Sequence, residues 1–94
     1  MPRPRSRRRV RFRPRARFFK PQGIPLRVLE IVQLTDEESE ALRLKHLKKL
    51  DQKECAHEMQ TSPSTFQRIL SSAHAKLSEA VVQGKAVRIT AGDK

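Results

Sequence analysis

Between residues 62 and 71 the chain offers Ser62, Ser64, Thr65, Gln67, Arg68 and Ser71, interleaved with apolar Phe66, Ile69 and Leu70 and with no acid. Side chains of these types read nucleic acid. Glutamine pairs bidentately with adenine, arginine with guanine or a phosphate, and hydroxyls with several base edges. A second constellation lies in the first 20 residues, which hold Arg3, Arg5, Arg7, Arg8, Arg9, Arg11, Arg13, Arg15 and Arg17, one lysine and no acid. Arginine rather than lysine favours phosphate and groove contacts, and part of such an arm fits an A·T-rich minor groove. This block takes ten of the 21 basic residues; from Pro21 onward eleven basic residues meet ten acidic ones, so the net charge of +11 is nearly all arm. The asymmetry points to a polyanionic partner. Nucleic acid is the commonest, with anionic membrane surfaces and acidic proteins in the same class.

Other chemistry finds less support. Cys55 and His57 stand two apart on an expected helix, so they point in different directions and neither chelate one ion nor form a nucleophile–base pair. His46, His57 and His74 are dispersed and no paired cysteines complete a zinc site, so no metal and no cofactor is expected. Glu37, Glu38 and Glu40 are accounted for as helix-start charges. With no glycine-rich phosphate loop and no nucleophile elbow, an enzyme is not expected. No run of eighteen apolar residues occurs, and Pro2, Pro4 and Pro14 would interrupt a transit-peptide helix, so a membrane or exported location is not expected. The single cysteine fits a reducing, cytoplasmic compartment.

Three helices must position these groups, and 94 residues allow one small domain to hold them. Thr35 with Glu38 forms a capping box that opens a helix, with Ala41, Leu42, Leu44 and Leu47 as its apolar stripe and an end near Lys48 or Lys49. Asp51 with Glu54 opens a second, short helix ending near Met59. Ser62 as N-cap and Pro63 in the first turn open a third, whose apolar face of Phe66, Ile69, Leu70, Ala73, Leu77, Ala80 and Val81 runs to Gln83, with Gly84 as its cap. With Gln52 as the first position of a twenty-residue helix-turn-helix, Cys55, Met59, Thr61, Phe66 and Ile69 take the inward positions, and small Ala56 takes the close approach.

The remaining segments are less regular. Residues 1–17 read as a solvated arm, except that Val10 and Phe12 alternate with arginines as in a strand; residues 85–89 alternate similarly, which predicts that the two pair. Residues 18–26 carry two prolines and a glycine and read as a loop, while the apolar contacts from Leu26 to Leu34 suit a short helix or a strand equally. The expected architecture is all-α: a helix-turn-helix bundle with a basic arm (1–17), a connector (18–34), a helical core (35–83), a tail (84–94) and short terminal strands.

The stretches MPRPR, RRVRF from Arg8, FKPQGIPL from Phe19, LTDEESEALRL from Leu34 and the long run from Ser64 to Ile89 resemble the DUF134 or UPF0251 family, small predicted DNA-binding proteins whose motif is similar to region 4 of sigma-70 factors. The resemblance covers nearly the whole chain and implies a helix-turn-helix fold and a role in prokaryotic transcription. Family members commonly have glycine at the positions of Lys49 and Gln60, which implies a left-handed backbone at both. Arg7, Arg11 and Phe12 stand where some members carry cysteines, so no metal function is carried over. Pro63 replaces a residue that is more often polar or basic, which implies one DNA contact fewer.

The expected function is a transcriptional regulator that binds double-stranded DNA, the third helix in the major groove and the arm on phosphates or the minor groove, with nucleoid localisation. A homodimer would supply adequate site length. Two other readings compete: an RNA-binding or nucleoid-associated protein driven by the arm, and an interaction module docking on RNA polymerase.

Overall fold

The computed structural model describes residues 8–91. Helix α1 (Asp36–Leu42), α2 (Gln52–Glu58) and α3 (Pro63–Gln83) stand where their caps predict. In both capping boxes, Thr35 with Glu38 and Asp51 with Glu54, each side chain meets the other's backbone N–H. Ser62 accepts from the Thr65 N–H, and Gly84 closes α3 in the left-handed region at φ 69°.

The all-α expectation is overturned by a three-stranded mixed sheet, in the order β1 (Phe18–Phe19), β3 (Ala86–Thr90), β2 (Ile31–Thr35). Strand β3 is central. It pairs parallel with β2, Ile31 opposite Ala86 through Thr35 opposite Thr90, and antiparallel with β1, Phe18 opposite Arg88. The alternation in residues 85–89 therefore does mark a strand, but residues 9–13 are not its partner. They form no strand, and the segment left open at 26–34 supplies a single 3₁₀ turn (Leu26–Val28) and then β2. Parallel strands need a long crossover, and here the whole three-helix unit is that crossover.

Two apolar clusters share α3. Its first half packs Phe66 and Leu70 against Ala41, Leu44, Cys55, Ala56 and Met59; its second half packs Ala73 and Ala80 against Val32, Leu34, Val87 and Ile89 from the sheet. Leu42, at the end of α1, touches both. The expected inward set of the helix-turn-helix is buried at Cys55, Ala56, Met59 and Phe66 and half-buried at Thr61 and Ile69. Within the helical stripes two apolar assignments fail: Leu47 and Val81 are 77% and 79% exposed. Leu47 leaves the core because α1 continues into a π-helical turn over Arg43–Leu47, in which the Lys48 N–H reaches back to the Arg43 carbonyl and the faces of the helix rotate.

Lys49, two residues past that turn, has φ 60°, and the α2–α3 turn passes through Gln60, with φ 57°. Both are the positions at which the family resemblance implied a left-handed backbone. A Cβ is disfavoured there, so Lys49→Gly and Gln60→Gly are each expected to stabilise the protein by up to about 1 kcal/mol, offset in part by the greater freedom of unfolded glycine. Urea midpoints compared with wild type check this, and a midpoint lowered in both variants would contradict the strain.

Candidate nucleic-acid interface

The α2–turn–α3 unit fixes one face of α3 against the body and leaves the other outward. Phe66, fully buried, alternates with Gln67 and Arg68, which its burial turns toward solvent; Ser62, Ser64 and Ser71 are exposed and Thr65 is half-buried. Local bonds order this face: Ser62 Oγ lies 2.9 Å from Thr65 Oγ1, and Gln67 Nε2 donates to Ser71 Oγ at 3.4 Å. The Gln52 amide donates to the Pro63 carbonyl at 3.0 Å, joining the starts of α2 and α3.

The described part of the arm is not free. The Arg9 N–H donates to the Met59 carbonyl at 2.9 Å and its Nε to the Glu58 carbonyl at 2.9 Å, so the chain is held at the end of α2. From there Arg11 lies 3.2 Å from Glu58, and Arg13 and Arg17 lie 3.2 and 2.7 Å from the two oxygens of buried Asp36. The Arg17 carbonyl then accepts from the Ile89 N–H, which delivers the chain to β1. Arg8 pairs with Glu37 at 3.6 Å. Arg15 is exposed, and Arg3, Arg5 and Arg7 lie outside the described residues. The acids of α1, expected only as helix-start charges, thus also receive the arm.

Arg8 and Arg68 converge on one open cleft of about 300 Å³, lined also by Thr35, Glu37, Glu38, Thr65, Ile69 and Ser72. Its two carboxylates are engaged: Glu37 by Arg8, and Glu38 by Ser72 Oγ at 2.5 Å, Lys76 Nζ at 2.9 Å and the Thr35 N–H at 2.9 Å. Among the described residues Arg68 has no carboxylate partner.

Burial pushes the Glu38 carboxyl up, but the bonds from Ser72, Thr35 and Lys76 outweigh it and hold the group below its ordinary value. A carboxylate depressed by folding adds stability above its unfolded pKa and loses it as pH falls through the folded one. Wild type is thus expected to lose stability below about pH 4.3, and Glu38→Gln to lose less over that range. Urea midpoints at pH 6 and pH 3.5 measure the difference, and equal losses would remove Glu38 from the acid response.

Cys55 is fully buried, and burial pushes its thiol up, as suits a core residue. No group of three histidine, cysteine, aspartate or glutamate side chains among the described residues is arranged to hold a metal. No helix among them is long and apolar enough to cross a membrane.

The family described as "Protein of unknown function DUF134" matches residues 1–94. A UPF0251 protein of Halothermothrix orenii is 50% identical over 93 residues, which is 99% of this chain and 69% of the relative. One from Caldanaerobacter subterraneus subsp. tengcongensis is 53% identical over 93 residues, 99% of this chain and 79% of its own. One from Desulforudis audaxviator is 52% identical over 93 residues, 99% of this chain and 61% of its own. No solved structure matches the chain.

Proposed function

The chain belongs to the DUF134 family, and on its geometry we propose that it is a sequence-specific DNA-binding protein that acts in transcription. One observation carries the reading. Over residues 62–71 the outward face of α3 is polar, free of acid and backed by buried Phe66 and Leu70, and among the described residues its Arg68 has no carboxylate partner while Arg8, Arg9, Arg11, Arg13 and Arg17 each have one.

In the proposed complex the first turns of α3 enter the major groove. Gln67 reads adenine, Arg68 reads guanine or grips a phosphate, and Ser62, Ser64, Thr65 and Ser71 bond phosphates or base edges. The N–H groups at the start of α3 add an attraction for a backbone phosphate. Arg8 shares a cleft with Arg68, and Arg3, Arg5 and Arg7 precede it in the sequence. They supply the non-specific grip on the duplex. Arg9, Arg11, Arg13 and Arg17 act first within the protein, because a phosphate must displace a carboxylate to engage them. A second copy of the chain supplies the second half-site.

The test is selection of bound sequences from a random duplex library at about 150 mM salt, where phosphate-only binding is weakened. An enriched motif is expected, and Arg68→Ala is expected to cost about 1 to 3 kcal/mol on that motif and to relax discrimination at one position. The variant should keep its thermal stability, since Arg68 is exposed. Equal losses on selected and random duplexes would remove Arg68 from base reading. No enriched motif at all, with tight binding to any polyanion, would favour the arm-driven reading.

A further inference from the structure

The sheet has two unequal edges. On one side β1 is two residues long and Pro21 follows it closely, so it offers little to a further strand. On the other side lies β2, Ile31–Thr35, five residues with no proline and no charged side chain. Shortness, charge and proline are the usual means by which an edge is closed to pairing, and β2 has none of them.

The ladder fixes which backbone groups of β2 are left over. The Ala86 N–H donates to the Glu30 carbonyl at 2.9 Å, and the two strands run parallel with Val32 opposite Val87. In such a pair alternate residues turn their N–H and C=O to the same neighbour, so Val32 and Leu34 bond β3 while Ile31, Gln33 and Thr35 face outward. Thr35 is already engaged, its N–H on Glu38 Oε1 at 2.9 Å as the cap of α1. Among the described residues nothing bonds the outward N–H and C=O of Ile31 and Gln33. The Gln33 side chain is exposed and that of Ile31 half-buried.

These four groups are self-complementary. When a second copy approaches antiparallel with a two-fold axis at Val32, Ile31 of each chain stands opposite Gln33 of the other. Each such pair exchanges two N–H···O bonds, so every free group is used and the Thr35 cap stays intact. A pairing centred on Gln33 would instead need the Thr35 N–H, which is taken. Charge favours the same orientation. Arg27, exposed and without a carboxylate partner among the described residues, precedes β2, whereas Asp36 and Glu37 follow it. Antiparallel pairing sets the basic entry of one strand beside the acidic exit of the other, where Glu37 is held only by Arg8 at 3.6 Å and keeps 31% exposure.

We propose that β2 is the self-association edge of this protein: two copies pair their β2 strands antiparallel about Val32 and merge their sheets into one of six strands, in the order β1-β3-β2-β2-β3-β1. As the source of the second half-site this dimer rests on the DNA-binding reading; as a contact it rests on the sheet alone.

The experiment is analytical ultracentrifugation of the full chain without DNA, from about 10 μM to 1 mM, since the dimer forms by mass action. Added salt screens the net charge of +11 on each copy. Amide hydrogen exchange is followed on the same samples. The mass should rise from the 10.9 kDa of one chain toward twice that value. The Ile31 and Gln33 amides should gain protection of about tenfold or more in step with it. Gln33→Pro removes an outward donor at no cost to the ladder with β3. Gln33→Lys keeps the backbone groups but sets two like charges diagonally across the axis. Both variants should keep the wild-type circular dichroism and need about tenfold or more higher concentration to associate. Val82→Lys, on the exposed face of α3, should associate as wild type does. A single-chain mass throughout, association of both Gln33 variants at wild-type concentrations, or a dimer whose Ile31 and Gln33 amides remain unprotected would overturn the proposal. None of these results touches base reading, which stands or falls on the duplex selection.

Discussion

Phe66→Ala is expected to lower the unfolding free energy by about 3 to 5 kcal/mol, the usual cost of emptying an aromatic site in a core. Phe66 is fully buried, and around it lie Ala41, Leu44, Cys55, Ala56, Met59 and Leu70, drawn from α1, the π turn, α2 and α3. Small neighbours such as Ala41 and Ala56 reach little into the void, so the cavity cannot close without moving a helix. Small domains have total stabilities of about 5 to 15 kcal/mol, and this loss would leave a measurable unfolded fraction near 37 °C. The functional consequence is larger than the thermodynamic one, since Phe66 sets the rotation of the α3 face that carries Gln67 and Arg68. Phe66→Leu, which keeps most of the volume, should retain the fold with a smaller loss. Urea unfolding monitored by circular dichroism gives the numbers. A loss under 1 kcal/mol for the alanine variant would mean that α3 does not pack as described.

The second large effect is expected at Glu40. This carboxylate is 1% exposed and accepts Arg43 Nε at 2.9 Å, Arg43 at a second nitrogen at 2.8 Å, and the Arg11 N–H at 3.2 Å. The hydrogen bonds that Arg43 donates to Glu40 hold its guanidinium above its ordinary pKa despite partial burial. Glu40→Ala leaves Arg43 charged and without its partner, and frees the arm at Arg11. Because the Arg43 side chain keeps 21% exposure and can reach some water, the expected cost is about 2 to 4 kcal/mol, below the full penalty for an isolated buried charge. Arg43→Ala removes the orphaned cation, so the double variant should be less destabilised than the two single losses combined. A double-mutant cycle reads this coupling, and strictly additive losses would show that the two side chains do not act as a pair.

The helices were legible because their signals are local. Thr35 with Glu38, Asp51 with Glu54, and Ser62 with Pro63 each declare a helix start within three residues, and the structure honours all three. The outward polar face of α3 followed from the same periodicity. The sheet was not legible in this way. Alternation in residues 85–89 marks a strand but carries no address, and residues 9–13 alternate just as well without pairing to it. The true partner, Ile31–Thr35, is separated from β3 by the entire helical unit. The clamp on the arm was hidden for a different reason. Asp36 and Glu37 already have a sufficient explanation at a helix N-terminus, and nothing in their spacing shows that Arg13, Arg17 and Arg8 come back to them. His46 and His74, whose Nε2 atoms lie 2.8 Å apart, met unannounced because a π turn adds a rotation that ordinary helical spacing does not contain.

The central position of β3 bears on how the chain is made. During synthesis the three helices can form from local signals as soon as residues 35 to 83 have emerged, but β1 and β2 are not neighbours in the sheet and have nothing to pair with. They wait with open edges until residue 90 leaves the ribosome, and only then does one strand join both. Pairings at this sequence separation close late and slowly. On a nascent chain the interval is the period of greatest exposure to misassembly and to capture by chaperones.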